Sequence, residues 1–234
     1  MRLCSRGAGI LSSLARLMLP CRHSYIQGST GMDLAAFFRN EGVDVNSSVG
    51  IEDLPGVDRA AVLQFFPAAR SVIVFGKEVP VPVHRMPPGD KTREILRIAG
   101  SLDSAAARLA GLLKAEHIPS LPIPLYLPVR VVDGRVQGVV RLKQIAAAGG
   151  LGEMEKNTFL NRRFGSRLLL AGVVTGAPAP EAGRDSGAGD NDAPLCTGCG
   201  ACTRACPEGA IGPDGVDAFR CRTVRGSLPR LSRP

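Results

Sequence analysis

The apolar residues of the chain follow two patterns, which predict a long helix and buried strands. Over residues 92–117, apolar side chains recur at steps of three and four positions, as on one face of an amphipathic helix. Residues 71–76 and 167–175 are continuous apolar runs instead, and the first of them ends in a glycine. Runs of this kind are typical of strands that are covered on both faces. Helix and strands together indicate an α/β domain.

Weaker signals lie around these elements. Short helices or extended segments are predicted at 33–40, 43–49, 59–66, 121–132 and 142–148. The pair Asp133-Gly134 favours a tight hairpin turn between strands at 129–132 and 136–140. After residue 175 the composition changes: residues 176–194 are rich in Gly, Ala, Pro and Asp, which is typical of a linker.

Composition and charge narrow the classes of protein that fit. Hydrophobic residues make up 44% of the chain, but aromatic residues only 4%, so aliphatic side chains must fill the core. The formal net charge is +8, and the excess of arginine lies mostly near the two ends. No basic helix face with interleaved aromatic residues is present, so specific nucleic-acid binding is not expected. No apolar run reaches the roughly 20 residues of a membrane span, so no membrane role is expected.

The first 31 residues are treated as an N-terminal extension. A mildly apolar stretch with a basic flank is faintly similar to a signal sequence, but Arg16 interrupts it and no small-residue cleavage site follows. We expect translation to start at Met32 rather than Met1. Cys4, Cys21 and His23 are therefore given no function.

Five of the seven cysteines crowd into residues 196–221, which indicates a metal site in a reducing, cytoplasmic setting. Their first four members have the spacing C-x2-C-x2-C-x3-C-P of bacterial ferredoxins, which bind [4Fe–4S] clusters. The residues between the cysteines are small, so backbone N–H groups can approach the cluster sulfides. Structural zinc usually takes two separated pairs of ligands, and cysteines this close have poor geometry for disulfides. The predicted metal ligands are Cys196, Cys199, Cys202, Cys206 and Cys221.

The fourth ligand of the cluster has two candidates. In two-cluster ferredoxins the cysteine before the proline binds the other cluster, which argues against Cys206. Cys221 follows a Gly-Pro-Asp-Gly turn that can fold the chain back, and we favour it for a single-cluster monomer. Alternatively, Cys206 and Cys221 form half of a second cluster that is shared between two chains.

The segments then follow in order. They are the N-terminal extension (1–31), an α/β (α+β, mixed-sheet) domain (32–175), the linker (176–194), a ferredoxin-like iron–sulfur module (195–222) and a basic tail (223–234).

Residues 142–175 resemble a sequence block of the epoxyqueuosine reductase family, A-G-L-G-W-I-G-K-N-T followed by F-G-S and L-G-x-x-x-T. The matching positions are Gly150, Leu151, Gly152, Lys156, Asn157, Thr158, Phe164, Gly165, Ser166, Gly172 and Thr175. Residues 217–221 also resemble the D-A-x-x-C element that follows the family's first cysteine motif. The resemblance is closest to the short, ferredoxin-tailed relatives.

The resemblance implies a cobalamin as a second cofactor, with Gly150, Gly152, Lys156 and Asn157 as cofactor-binding residues. The full-length enzymes use cobalamin and two [4Fe–4S] clusters to reduce an epoxide on a modified tRNA base. This chain carries one cysteine motif rather than two. The same glycines are equally explained by a turn that ends a helix.

Two departures concern the implied active site. The position of the family's catalytic acid falls on Val136, and Asp133 is near but not aligned. The family's Trp and second Gly are Glu153 and Glu155 here, in a place expected to pack against a cofactor. No catalytic residue is therefore assigned.

Three functions remain open on the sequence. The first is an epoxyqueuosine reductase-like iron–sulfur redox protein, which transfers electrons to a corrinoid or small-molecule acceptor in or near the α/β domain. Epoxyqueuosine reductase activity itself is not expected. Its expected partner is a donor protein such as a ferredoxin or flavodoxin. The others are a simple ferredoxin-like electron carrier and a binding protein with a structural cluster. A carrier alone does not need about 190 residues before its cluster.

The fourth ligand is tested by single Ser substitutions. We expect Cys221→Ser to lower the iron content and the EPR signal of the anaerobically purified protein, and Cys206→Ser to leave both nearly unchanged, because the ferredoxin geometry directs Cys206 away from this cluster. Loss only in Cys206→Ser would contradict this choice. Equal loss in both variants, with about eight irons per dimer, would indicate the shared second cluster.

Overall fold

A computed structural model describes residues 32–125, 129–132, 135–155, 158–179, 194–212, 215–217 and 219–220. In chain order, the elements of the α/β domain are α1 (Leu34–Asn40), β1 (Val45–Gly50), a 3₁₀ turn (Ile51–Asp53), α2 (Gly56–Phe65), β2 (Ser71–Glu78), α3 (Val81–Arg85), α4 (Pro88–Ala115), β3 (Ser120–Ile123), β4 (Val129–Val132), β5 (Arg135–Gly138), α5 (Leu142–Ala148), β6 (Glu153–Glu155), β7 (Thr158–Leu160) and β8 (Leu168–Thr175). The cysteine segment contains α6 (Ala201–Ala205), β9 (Ile211–Gly212) and β10 (Gly215–Val216).

The main sheet has four strands in the order β1-β2-β8-β3, and each neighbouring pair is antiparallel. The central pair, β2 and β8, is in register over its whole length, from Ser71 opposite Thr175 to Glu78 opposite Leu168. Both central strands come from the two apolar runs of the sequence. The prediction of a domain built from mixed helices and strands is confirmed.

Each face of the central strands packs against a different layer. Val72 and Val74 lie in one core cluster with residues of α2 and α5, whereas Ile73 and Phe75 lie in a second cluster with the apolar face of α4. Successive side chains of a strand point to opposite faces. Because both faces are covered, residues 71–76 are all buried and their sequence shows no alternation.

Backbone hydrogen bonds end the long helix α4 at its C-terminus. After α4, the N–H of His117 donates to the Lys114 carbonyl and that of Ile118 to the Leu113 carbonyl, with His117 at φ 61°. This is the hydrogen-bond pattern of a Schellman motif, in which glycine is the usual residue at the left-handed position. His117 is therefore the left-handed residue at which α4 ends. None of the described helices is both long and apolar enough to cross a bilayer.

The glycines after α5 serve that helix and its packing. The N–H of Gly150 donates to the Ala147 carbonyl and that of Leu151 to the Ala146 carbonyl, and Gly150 has φ +77°. This is a second Schellman motif, so the helix-ending explanation of these glycines holds for Gly150. Gly152 is explained by close approach, because a Cβ there would collide with the carbonyl oxygen of Leu160 on β7.

A buried ion pair joins the helices on one face of the sheet. The Asp58 carboxylate on α2 is 2% exposed and accepts hydrogen bonds from Arg141 Nε at 2.7 Å and Nη2 at 2.9 Å. Arg141 is the residue directly before α5. A two-point contact of this kind fixes distance and orientation together. It therefore sets where α5, and the glycine turn after it, begin.

Several elements were not predicted from the sequence. They are α3, β6, β7 and the short elements after residue 200. The predicted hairpin strands at 129–132 and 136–140 appear as the antiparallel pair β4–β5, while Asp133 and Gly134 lie outside the described residues. Most of the predicted linker also lies outside them, so the segment boundaries stay a prediction.

Arg141→Gln should lower the free energy of unfolding by about 3 kcal/mol, because it leaves the buried Asp58 carboxylate without its ionic partner. Arg93→Gln on α4 is the matched control, since the Arg93–Asp90 pair is exposed and should contribute less than about 0.5 kcal/mol. Anaerobic urea unfolding followed by circular dichroism measures both. Equal effects of the two substitutions would contradict the structural role of the buried pair.

Candidate metal centre

Two left-handed glycines shape the loop that carries the predicted ligands. Gly198 and Gly200 both have φ 69°, a conformation that residues with a side chain rarely adopt. Gly200 directly precedes α6, a single short helix that holds Cys202 and ends before Cys206. The loop therefore changes direction between successive cysteines. The Arg204 guanidinium closes it by donating from Nη1 to the Cys199 carbonyl at 2.8 Å.

Backbone N–H groups point at the cysteine sulfurs. The Ala210 N–H donates to Cys206 Sγ at 3.3 Å, and this bond, with the N–H groups of Glu208 and Ile211, lowers the pKa of the Cys206 thiol. The pKa of Cys199 is lowered as well, first by the Ala201 N–H and then by the Thr197 hydroxyl. Donors of this kind stabilise the thiolate, which is the form that binds iron.

The donor set fits an iron–sulfur cluster. Cys196, Cys199, Cys202 and Cys206 are all free thiols, none is buried, and Cys199 and Cys202 are exposed. A cluster of this type takes cysteine thiolates as ligands and is tuned by hydrogen bonds to its sulfur atoms. The thiolate-stabilising amides at Cys199 and Cys206 suit both requirements.

The chain after Cys206 folds back on itself. Ala210 is 2% exposed, its carbonyl accepts a hydrogen bond from the Asp217 N–H at 2.8 Å, and β9 and β10 pair between them. Arg220 reaches back to Gly209, where a Cβ would lie 3.2 Å from its Nη2 atom. The segment just before Cys221 thus returns to the segment just after Cys206. Cys221 itself lies outside the described residues, and its role as fourth ligand stays a prediction.

One hydrogen bond joins the start of this loop to the α/β domain. The N–H of Leu195, the residue before Cys196, donates to Glu153 Oε2 at 3.0 Å. The other carboxylate oxygen of Glu153 lies 3.6 Å from Arg162 Nη2. Glu153 was singled out in the sequence only as a departure from a cofactor-facing Trp. No sequence signal indicated that it contacts the cysteine segment.

The other predicted cofactor residues are placed only in part. Gly150 faces open space, since a Cβ there would meet nothing within 4 Å, whereas Gly152 is enclosed by β7. Lys156 and Asn157 lie outside the described residues, so these four cofactor assignments stay predictions. Val136, at the position of the family's catalytic acid, lies in β5 opposite Val131.

Residues 190–211 match the family model of a 4Fe-4S binding domain. The match includes the first four cysteines of the motif and supports an iron–sulfur cluster. No curated protein sequence matches the chain.

Several solved structures are similar to this chain over most of its length. Two structures of epoxyqueuosine reductase, one selenomethionine-labelled and one with a tRNA-Tyr epoxyqueuosine-modified tRNA stem loop, each give a TM-score of 0.52 at 19% identity over 80% of this chain. The epoxyqueuosine reductase from Streptococcus thermophilus gives a TM-score of 0.55 at 16% identity over 83%. The chain has the fold of the epoxyqueuosine reductases. It spans 54–57% of the length of these three proteins.

The epoxyqueuosine reductase fold and the cysteine segment confirm the predicted architecture of an α/β domain with a small C-terminal iron–sulfur module. The resemblance found in residues 142–175 is therefore confirmed at the level of the fold. The sequence analysis expected backbone N–H groups from the small residues between the cysteines, and the Ala201 N–H is one of them. It missed the Ala210 N–H, which lies after Cys206, and the contact of Glu153.

In the cluster-free protein, Cys199 and Cys206 should stay deprotonated to a lower pH than ordinary cysteines do. Because N–H donors lower the pKa values of Cys199 and Cys206, their alkylation by iodoacetamide should reach half its maximal rate below the ordinary thiol value of about 8.5. Mass spectrometry of peptides labelled across a pH series measures each site. The same protein in urea is the control and should return to about 8.5. Equal profiles in folded and unfolded protein would show that the amides do not act on these sulfurs.

Proposed function

We propose that this chain is an iron–sulfur redox protein that passes electrons through one [4Fe–4S] cluster to an acceptor in or near the α/β domain. A donor protein reduces the cluster by one electron, and the reduced cluster then reduces the acceptor. The chain is epoxyqueuosine reductase-like in this sense, with a reaction other than epoxyqueuosine reduction.

The observation that carries the proposal is the joining of two parts. A ferredoxin-type cysteine loop is hydrogen-bonded, through Leu195 and Glu153, to a domain with a reductase fold. A cluster attached in this way is placed to exchange electrons with a group bound on that domain. The ligand loop also leaves Cys199 and Cys202 exposed, so a donor protein can approach the cluster from outside.

A corrinoid is the acceptor that we propose. When bound, cobalamin supplies a cobalt centre that accepts low-potential electrons. Gly150 offers an open surface for such a group. Lys156 and Asn157, which lie outside the described residues, are the residues that we propose to hold it. The Glu153 carboxylate is engaged by the Leu195 N–H, so we place the corrinoid on the side of this block that faces Gly150.

Epoxyqueuosine itself is not the proposed substrate. A general acid must come within hydrogen-bond reach of the group that it protonates, and a valine side chain carries no proton to donate. Val136 occupies the position of the family's acid within the β4–β5 ladder. The substrate of this chain must then need no acid from that position.

The two other functions make different predictions. A simple electron carrier would show normal cluster reduction and no bound corrinoid or small molecule. A structural cluster would stay oxidised even with dithionite. Anaerobic purification followed by iron, sulfide and corrinoid analysis and by dithionite reduction separates these cases, and we expect about four irons per chain. Tightly bound zinc in place of iron would contradict the proposal.

Reduction by an acidic donor, such as a ferredoxin or flavodoxin, should slow by about tenfold as salt rises, because steering between exposed charges is screened. The proposed docking charges are Arg204, Arg220, Arg222 and the arginines of the basic tail, at 225, 230 and 233. Stopped-flow reduction across an ionic-strength series measures the effect. A variant with Gln at Arg222 and at the three tail positions should lose most of the salt dependence, and Arg93→Gln is the control. A rate that does not depend on salt would exclude these residues as the docking surface.

A further inference from the structure

Glu153 stands where the family resemblance predicts an aromatic residue against a cofactor, and its contacts are of a different kind. Glu153 begins β6, the strand that pairs with β7, and lies opposite Leu160. Its carboxylate accepts the Leu195 N–H on one oxygen and faces the Arg162 guanidinium with the other. The β6–β7 hairpin with its following turn and the start of the cysteine segment, 42 positions away, therefore meet at one carboxylate.

The platform under Glu153 is held by buried hydrogen bonds. Asn161, which is 4% exposed, donates from Nδ2 to the Leu151 carbonyl at 2.6 Å. Its Oδ1 atom accepts from the Arg163 and Phe164 N–H groups at 2.9 Å and 3.0 Å. Leu151 belongs to the core cluster under α5. The turn that carries Arg162 and the strand that carries Glu153 are thus tied to the same core residue.

The hydrogen bond from the Leu195 N–H to Glu153 has a charged acceptor and is partly shielded from water. Glu153 and Arg162 side chains are 38% and 23% exposed, so the charges are partly shielded from water. Hydrogen bonds to a charged group are stronger than neutral ones, and more so away from bulk water. Leu195 is adjacent to Cys196, so any restraint on its N–H also restrains the first ligand of the cysteine loop.

We propose that Glu153 is a positioning residue: its carboxylate, oriented by Arg162, holds the Leu195 N–H and thereby fixes the first cysteine ligand on the α/β domain. The inference deepens the proposed function and rests on it, because a fixed cluster is what electron transfer to that domain needs. It also accounts for a carboxylate at this position, since a Trp side chain offers no acceptor for the Leu195 N–H.

The test compares Glu153→Ala, Glu153→Gln and Glu155→Ala in the anaerobically purified full chain. Glu155 is the matched control, because it lies on the same strand and its side chain forms no hydrogen bond or ion pair within the described residues. Hydrogen exchange of the Leu195 amide is the direct measurement, scaled to the amides of β2 and β8. Release of iron to bathophenanthroline from the reduced protein is the second measurement.

Glu153→Ala should speed exchange of the Leu195 amide by about tenfold, the equivalent of losing one charged hydrogen bond, and should speed iron release. Glu153→Gln keeps an oxygen acceptor at the same place, so it should restore most of the protection at Leu195. Glu155→Ala should leave both measurements unchanged. If Glu153→Ala also speeds exchange in β2 and β8, the Leu195 rate is scaled to the rates of those strands. The proposal then predicts that the scaled Leu195 rate is higher in Glu153→Ala than in Glu153→Gln, and equal scaled rates would contradict it.

Two results would overturn the inference: unchanged Leu195 exchange in Glu153→Ala, or an equal acceleration in Glu155→Ala. The outcome for the proposed function is separate. Leu195 protection that depends on Glu153, in protein that binds no cluster, would reject the redox proposal and retain the positioning contact. If the protein binds its cluster but the Leu195 exchange rate does not change in Glu153→Ala, the positioning role alone is rejected.

Discussion

The pairing of β2 with β8 is the constraint on which the rest of this structure depends. Eight residue pairs join the two strands, and both faces of the pair are covered. An apolar two-sided ladder must bury both faces, and each face needs its own layer of helices. Long α4 covers one side, while α2 and α5 cover the other. The only polar side chains of this ladder that are fully buried, Ser71 and Thr175, lie at its end, where each has a hydrogen-bond partner.

The position of α5 connects the central sheet to the candidate site. Arg141 holds the start of α5 to the buried carboxylate of Asp58, and the Ser47 hydroxyl donates to the Gly149 carbonyl at its end. Leu151 then returns to the core, and β6 begins two residues later with Glu153. A continuous set of packed and hydrogen-bonded residues therefore leads from the central sheet to Leu195 and the cysteine loop.

The chemistry of the cysteine loop has a more local origin. Its turns need left-handed backbone at Gly198 and Gly200, and two of its sulfurs receive N–H groups from residues within five positions along the chain. Such contacts form from short-range sequence, without help from the α/β domain. The domain contributes something else, which is the place of the start of the loop relative to β6.

The sequence by itself determined those features that depend on residues close together in the chain. The period of apolar residues identified α4, two continuous apolar runs identified β2 and β8, and the cysteine spacing identified the iron–sulfur module. Helix ends at His117 and Gly150 follow from local hydrogen bonds as well. The resemblance in residues 142–175 indicated the fold, and three of its matching residues, Gly150, Gly152 and Gly172, lie at the turn after α5, against β7 and between Leu142 of α5 and β2. The short pair β6–β7 was missed because three-residue strands leave no readable period. Asp58 with Arg141, and Glu153 with Leu195, are partners 83 and 42 positions apart, and only the tertiary structure could decide them. The sequence does not indicate which partner a single charged residue will contact, because this depends on where the sheet and the helices place both residues.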